Sequence, residues 1–94
     1  MQIKDLKKGM SNVEIEAKVD MVGERNIKKG YGIDYDMVPV ILYDGTADIR
    51  MTVFGKIAKK IKEGMKLRIK GAYVKEFRGQ LQLNAREEDI EILE

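Results

Sequence analysis

Cysteine, histidine and tryptophan are absent from this sequence, and proline occurs once, as Pro39. Without cysteine there is no disulfide and no thiolate nucleophile. Without cysteine or histidine, a zinc site of the usual ligand type and imidazole acid–base chemistry are excluded as well. Carboxylates remain, yet they form no paired-carboxylate signature; Asp34 and Asp36 stand two residues apart, a common spacing in loops. No nucleophile elbow is present, so the expectation is a protein that is not an enzyme and carries no cofactor or metal. No apolar run approaches the roughly 20 residues of a membrane helix. The opening MQIKDLKKGM has no apolar stretch of the kind a signal peptide needs. No membrane partner is therefore expected, and a disulfide-free chain suits a reducing cytoplasm.

What is present is enough for one core. The chain has 94 residues, 44% of them hydrophobic, which is the size of a single domain spanning 1–94. Net charge is only +2, but its distribution is uneven. Residues 23–86 hold 14 Lys/Arg against 7 Asp/Glu, whereas the flanks 1–22 and 87–94 hold 4 against 9. The middle of the chain is basic and the ends are acidic, a pattern that fits either a polyanion partner or ordinary solvated charge.

Residues 12–22 alternate, with Val13, Ile15, Ala17, Val19 and Met21 on one face and Asn12, Glu14, Glu16, Lys18 and Asp20 on the other. This is the period of a half-buried strand. The apolar run 37–43 predicts a second strand, in which Pro39 marks an edge or a bulge. Asp44-Gly45 signals a tight turn, and 47–54 is the third strand, with Ile49, Met51 and Val53 inward. Residues 56–63 change to helical spacing through Ile57, Ala58 and Ile61, and Gly64 stops them. Strands four and five follow at 65–77 and 80–85, and a last short strand is expected around Ile90–Leu93. Residues 6–10 (LKKGM) echo 61–65 (IKEGM), which predicts the same local geometry twice. Three strands, a short helix and two more strands predict an all-β, five-stranded Greek-key OB-fold barrel with its helix between strands three and four. An SH3-like barrel is the alternative, and it normally lacks that helix.

Aromatic residues fall on the polar face of these strands. Phe54 is in register with Asp48, Arg50 and Thr52; the other reading has its ring tucked under the barrel rim. On strand four, Leu67 and Ile69 set an inward phase that would bury Lys75 if it continued. A bulge at Gly71 would reverse the phase, so that Ala72 and Val74 face in and Tyr73, Lys75 and Phe77 face out; the other reading keeps Tyr73 or Phe77 in the core with Lys75 snorkelling out. Gln80, Gln82 and Asn84 line the outward face of strand five, where amides can meet base edges. Arg50, Lys56, Lys75 and Arg78 surround the rings. Lys28 and Lys29, in a Gly-rich loop over 26–36 with Tyr31 and Tyr35, are placed to clamp a strand from above. Gly30-Tyr31-Gly32 is not a phosphate-binding fingerprint, since no helix follows. Rings stack on bases with little sequence preference, and the cations neutralise phosphates.

The segments 51–56 (MTVFGK), 61–64 (IKEG) and 71–84 (GAYVKEFRGQLQLN) resemble archaeal-type single-stranded-DNA-binding OB domains of the replication protein A family. The opening 3–10 (IKDLKKGM) resembles their N-terminal turn. The resemblance implies single-stranded DNA binding in replication, repair or recombination, with Phe54, Tyr73 and Phe77 as the stacking residues. This chain departs from the family in lacking tryptophan at Phe54 and Tyr73, and in reading Asp44-Gly-Thr-Ala47 where an Asp-x-Thr-Gly turn is common. It shows no acidic, glycine- or proline-rich tail, which suits one module of a longer multi-OB chain that meets other OB domains or subunits. An RNA-binding OB domain and a protein-interaction OB domain are the competing readings.

Overall fold

The alternation of 12–22 forms β1 (Val13–Val22), whose inward residues Val13, Ile15, Ala17 and Val19 are buried. The computed structural model describes residues 2–24, 26–30 and 33–93, and for 26–30 and 33–36 it describes the backbone path. β1 bends around the barrel: residues 13–18 pair with β5 (Lys66–Phe77), and residues 18–22 pair with β3 (Ile33–Tyr43). β3 runs antiparallel to β4 (Asp48–Phe54) from Met37↔Phe54 to Tyr43↔Asp48. β5 forms a hairpin with β6 (Gln80–Asn84), and β6 lies parallel to β4 through Arg50↔Gln82 and Met51↔Leu83. The ring β1-β3-β4-β6-β5 therefore closes on itself, which is the expected five-stranded OB barrel. Its centre is filled by Ile15, Leu42, Met51, Leu67, Ile69 and Leu83, and no polar or charged residue among the described ones is buried with them.

Two further elements join the barrel, the first of them beyond the expected plan. The segment read as a loop over 26–36 is a hairpin extension: β2 (Asn26–Gly30) pairs with β3 from Asn26↔Met37 to Gly30↔Ile33. Arg25, Tyr31 and Gly32 and the side chains of 25–36, including those of Lys28, Lys29 and Tyr35, lie outside the described residues. β7 (Ile90–Ile92) adds a short strand to β5, as the C-terminal apolar residues led one to expect. One element is smaller than expected. The helix predicted for 56–63 is a 3₁₀ turn, Lys56–Lys59, that lays Ile57 and Ala58 on the core. Gly55 and Gly64, both at positive φ, bound the segment; the helical turn stops at Lys59, and Ile61 belongs instead to the next turn.

That next turn explains the sequence echo. Gly9 N–H donates to Val74 O at 3.0 Å, and Val74 N–H returns to Met10 O at 2.8 Å. Gly64 N–H donates to Val19 O at 2.8 Å, and Val19 N–H returns to Met65 O at 2.8 Å. In both turns the glycine has positive φ (88° and 86°), and the backbone N–H of Lys7 or Lys62 points at the sulfur of Met10 or Met65. Each turn feeds one of the paired strands β1 and β5 and closes onto the other. The expected repetition of local geometry is therefore a two-fold device around the pair Ile15↔Ile69.

Two bulges re-aim side chains. In β5 the register passes from Val13↔Ala72 to Ile15↔Ile69, three residues against two, so the extra residue lies at Lys70-Gly71. Gly71 has φ +61°, a conformation glycine adopts without steric cost. The phase change expected there is present: Leu67, Ile69, Ala72 and Val74 are all buried. The second bulge corrects the sequence reading. β1 passes from Val19↔Leu42 to Met21↔Ile41, so Asp20 is the extra residue and Met21 is turned outward, 55% exposed, rather than into the core. Pro39 sits where β1 ends. Its carbonyl accepts from Gly23 N–H at 2.7 Å, and the N–H it lacks would have pointed to the same side, past the end of β1.

Asp44 ties the N-terminal turn to the β3–β4 connection. Its Oδ2 accepts from Ile3 N–H at 2.7 Å. Its Oδ1 accepts from Thr46 N–H at 2.9 Å and Thr46 Oγ1 at 2.5 Å. Partial burial pushes the carboxyl up, but the hydrogen bonds from Thr46, Ile3 and Ala47 together outweigh it and hold the group at about 2, below the ordinary 3.8. The departure from the Asp-x-Thr-Gly pattern thus leaves the aspartate's role as an Asx cap in place.

Candidate nucleic-acid interface

The outward faces of β4, β6 and β5 form one surface, and the register fixes what stands beside what. Lys75 pairs with Gln82 and Gln82 with Arg50. Arg50 pairs with Ile41, and Ile41 with Met21. A row of five side chains therefore crosses five strands: Met21, Ile41, Arg50, Gln82 and Lys75. On one side of this row Tyr73 pairs with Asn84, and on the other Phe77 pairs with Gln80. Tyr73 and Phe77 are four residues apart on one strand, about 13 Å at the usual rise.

Phe54 ends β4 beyond the Tyr73 side of the row and pairs with Met37. It is 44% exposed, Tyr73 43% and Phe77 58%, so none of the three rings is tucked into the core. Gly55 and the 3₁₀ turn follow Phe54 directly, and Glu87 fixes that turn by accepting from Ile57 N–H at 3.1 Å. Lys56, two residues on from Phe54, is exposed.

The cations are placed on the rings themselves. Lys75 Nζ lies 5.2 Å from the centroid of Tyr73, and the Arg78 guanidinium lies 5.3 Å from that of Phe77. Both are within cation–π range. Arg78 holds this position from the β5–β6 turn, where Arg78 and Gly79 both have positive φ (52° and 79°), as in a type I′ hairpin.

The structure thus brings together Arg50, Gln82, Lys75, Tyr73, Phe77 and Arg78, with Phe54 and Lys56 at the end of the same surface. Lys28 and Lys29 lie on β2, opposite Tyr35 and Asp34 in register. They are strand residues rather than loop residues.

A shallow groove of about 350 Å³ crosses this face, floored by Met21, Pro39, Ile41, Arg50, Thr52 and Gln82. Sequence reasoning assigned Arg50 and Gln82 to the site and missed its apolar part. Ile41 was hidden in a continuous hydrophobic run, and Met21 was masked by the unmarked bulge at Asp20. Alternation of β3 against its partners was the signal available: Met37, Pro39, Ile41 and Tyr43 share the outward face, and Tyr43 is 47% exposed.

Charge on the opposite wall is self-satisfied. Arg68 donates from Nε and Nη2 to Glu16 Oε1 at 3.0 and 2.7 Å and lies 3.7 Å from Glu91. The hydrogen bond from Arg68 holds the Glu16 carboxyl below its usual range and raises the guanidinium. Arg68 on that side already has carboxylate partners, whereas Lys75 and Arg78 on the groove side lie over rings. The arrangement offers stacking planes, phosphate-neutralising groups and hydrogen-bonding amides on one surface. Among the described residues no cluster of acids capable of holding a metal ion occurs.

A family model described as OB-fold nucleic acid binding domain matches residues 36–93. The chain belongs to this family. It is 34% identical over 85 residues to a single-stranded DNA binding protein, Ssb, of Saccharolobus solfataricus, covering 89% of this chain and 57% of that protein. The chain thus spans little more than half the length of that curated relative. Among solved structures, a domain of replication protein A from Methanococcus maripaludis superimposes with a TM-score of 0.77 at 25% identity, covering 100% of this chain and 94% of that one. The replication factor A related protein from Methanobacterium thermoautotrophicum gives a TM-score of 0.78 at 22% identity, over 100% of this chain and 90% of that one, and shows the shared fold.

Proposed function

We propose that this OB domain binds single-stranded DNA through the face built by β3, β4, β6 and β5, as a module of a replication protein A-like protein. The observation that carries the reading is the placement of three half-exposed rings around a row of cations and amides, with a cation over each ring of β5. Aromatic planes bind bases of any sequence, at roughly 1–3 kcal/mol per base. The named relatives, a single-stranded DNA binding protein and a replication protein A domain, support the same substrate. Titration of ¹⁵N-labelled protein with a dT decamer tests it. Shifts are expected along 50–54, 73–78 and 80–84, with a Kd on the order of 1–100 µM. Shifts confined to the Glu16–Arg68 side, or none, would overturn the proposal. The same titration with oligo-U and with duplex DNA reports the preference for DNA over RNA and for single strands.

A further inference from the structure

Asn84 carries an oddity that the fold does not explain. It is half-buried on the outward face of β6, and its Nδ2 is closed off from solvent with no hydrogen-bond partner among the described residues. An amide donor left in this state is destabilising. The neighbouring positions give it no structural task. Its cross-strand partner is Tyr73, and one step along the β4–β6 ladder from Met51↔Leu83 brings it beside Thr52. A side chain without an unpaired donor would avoid that cost.

We infer that Asn84 is a specificity-determining residue that reads the edge of the base stacked on Tyr73. The inference rests on the proposed single-strand binding and names a further contact in that site. The geometry selects the base edge rather than the phosphate. Asn84 lies directly across the ladder from a stacking ring, so a base lying on that ring presents its edge over β6. The phosphates are served by Arg50, Lys75 and Arg78, which flank the rings. A carboxamide that is only partly covered turns about its terminal torsion and brings its donor to the open surface, where a keto oxygen or ring nitrogen accepts it. The unpaired donor of the free domain becomes paired in the complex. Cost in the free protein and gain in the bound one are two sides of the same residue.

The test combines stability and affinity. Asn84→Leu is expected to raise Tm by more than Gln80→Leu does. The latter makes the same change at an exposed position of the same strand and so corrects for strand propensity; the excess is about 4–8 °C. Asn84→Leu and Asn84→Ala are both expected to weaken binding of a dT decamer by about five- to tenfold. With a decamer of difluorotoluene nucleotides, which keep thymine's shape and the phosphates but not its hydrogen-bonding groups, the variants and wild type should bind alike. A lowered Tm for Asn84→Leu would make the amide structural and overturn the inference. Unchanged affinity for dT, or an equal loss on the difluorotoluene strand, would also overturn it. Failure of the wild-type domain to bind dT at all is a different result, and it removes the proposed function itself.

Discussion

Phe54, Tyr73 and Phe77 stand out of the barrel beside Met21 and Tyr43, and each of the three rings is held there by a local cause. Phe54 is outward because β4 keeps strict alternation to its last residue. Tyr73 and Phe77 are outward because Gly71 inserts one residue into β5. If these rings carry the stacking, Tyr73→Ala and Phe77→Ala each weaken oligo-dT binding by about 1–3 kcal/mol. Because the lost area is solvent-facing, both variants should melt close to the wild type, which calorimetry checks beside fluorescence anisotropy. Arg78 is a different case, since it occupies a left-handed conformation at φ 52°, which is costly for a residue with a β-carbon. Asn-Gly is the preferred pair for such a turn, so Arg78→Asn should stabilise the domain by about 0.5–1 kcal/mol. The same change removes a cation from the Phe77 ring and should weaken binding. Stability up and affinity down in one variant would mark Arg78 as kept for the ligand.

At the level of elements, the bulges decide which face a strand shows. Gly71 is strained for any other residue by its φ of +61°, although a β-carbon there would meet only the Asp89 carboxylate at 3.5 Å, an ordinary contact. Gly71→Ala should therefore cost about 1–2 kcal/mol from backbone conformation alone, read as a lower Tm with the amide spectrum of the barrel retained. This bulge was legible in the sequence because a glycine marked it and an uninterrupted phase would have buried Lys75. The bulge at Asp20 was not. No glycine stands there, and Met21 continued the apolar alternation of β1 as well as a core residue would. The hairpin extension over 26–36 was hidden for a related reason. Its glycines and charged residues read as a loop, because an extension beyond the barrel has no core to impose alternation on it. The barrel itself was legible almost throughout, since each of its strands has an inward face that must be apolar. The apolar half of the groove was not, because Ile41 among Val40 and Leu42 shows its direction only through its partners in β1 and β4.

The molecule has a face proposed to take a polyanion and a wall that carries the Arg68–Glu16–Glu91 pairs, and the two should respond differently to solution conditions. Acid acts on the wall and on the Asp44 cap. Both Asp44 and Glu16 are held below their ordinary pKa in the folded state. Their contribution to stability is therefore complete above the unfolded values of 3.8 and 4.5. It is lost as pH falls through the folded ones, which for Asp44 means between 3.8 and about 2. Asp44→Asn should flatten the acid limb of a Tm-against-pH profile between pH 4 and 2 while lowering the plateau. Salt acts on the other face. The exposed Arg68 pairs contribute little to stability, and the core is apolar, so Tm should barely change between 50 and 200 mM NaCl. If Arg50, Lys56, Lys75 and Arg78 each neutralise a phosphate, affinity for oligo-dT should fall over the same range by roughly 50-fold, since the slope for single strands is about −0.7 per phosphate. Removing one of them, as in Lys75→Gln, should reduce the slope by about 0.7. Equal slopes for wild type and all four single variants would mean that the phosphates run elsewhere on the barrel. A slope near zero would favour a protein partner anchored on the same rings.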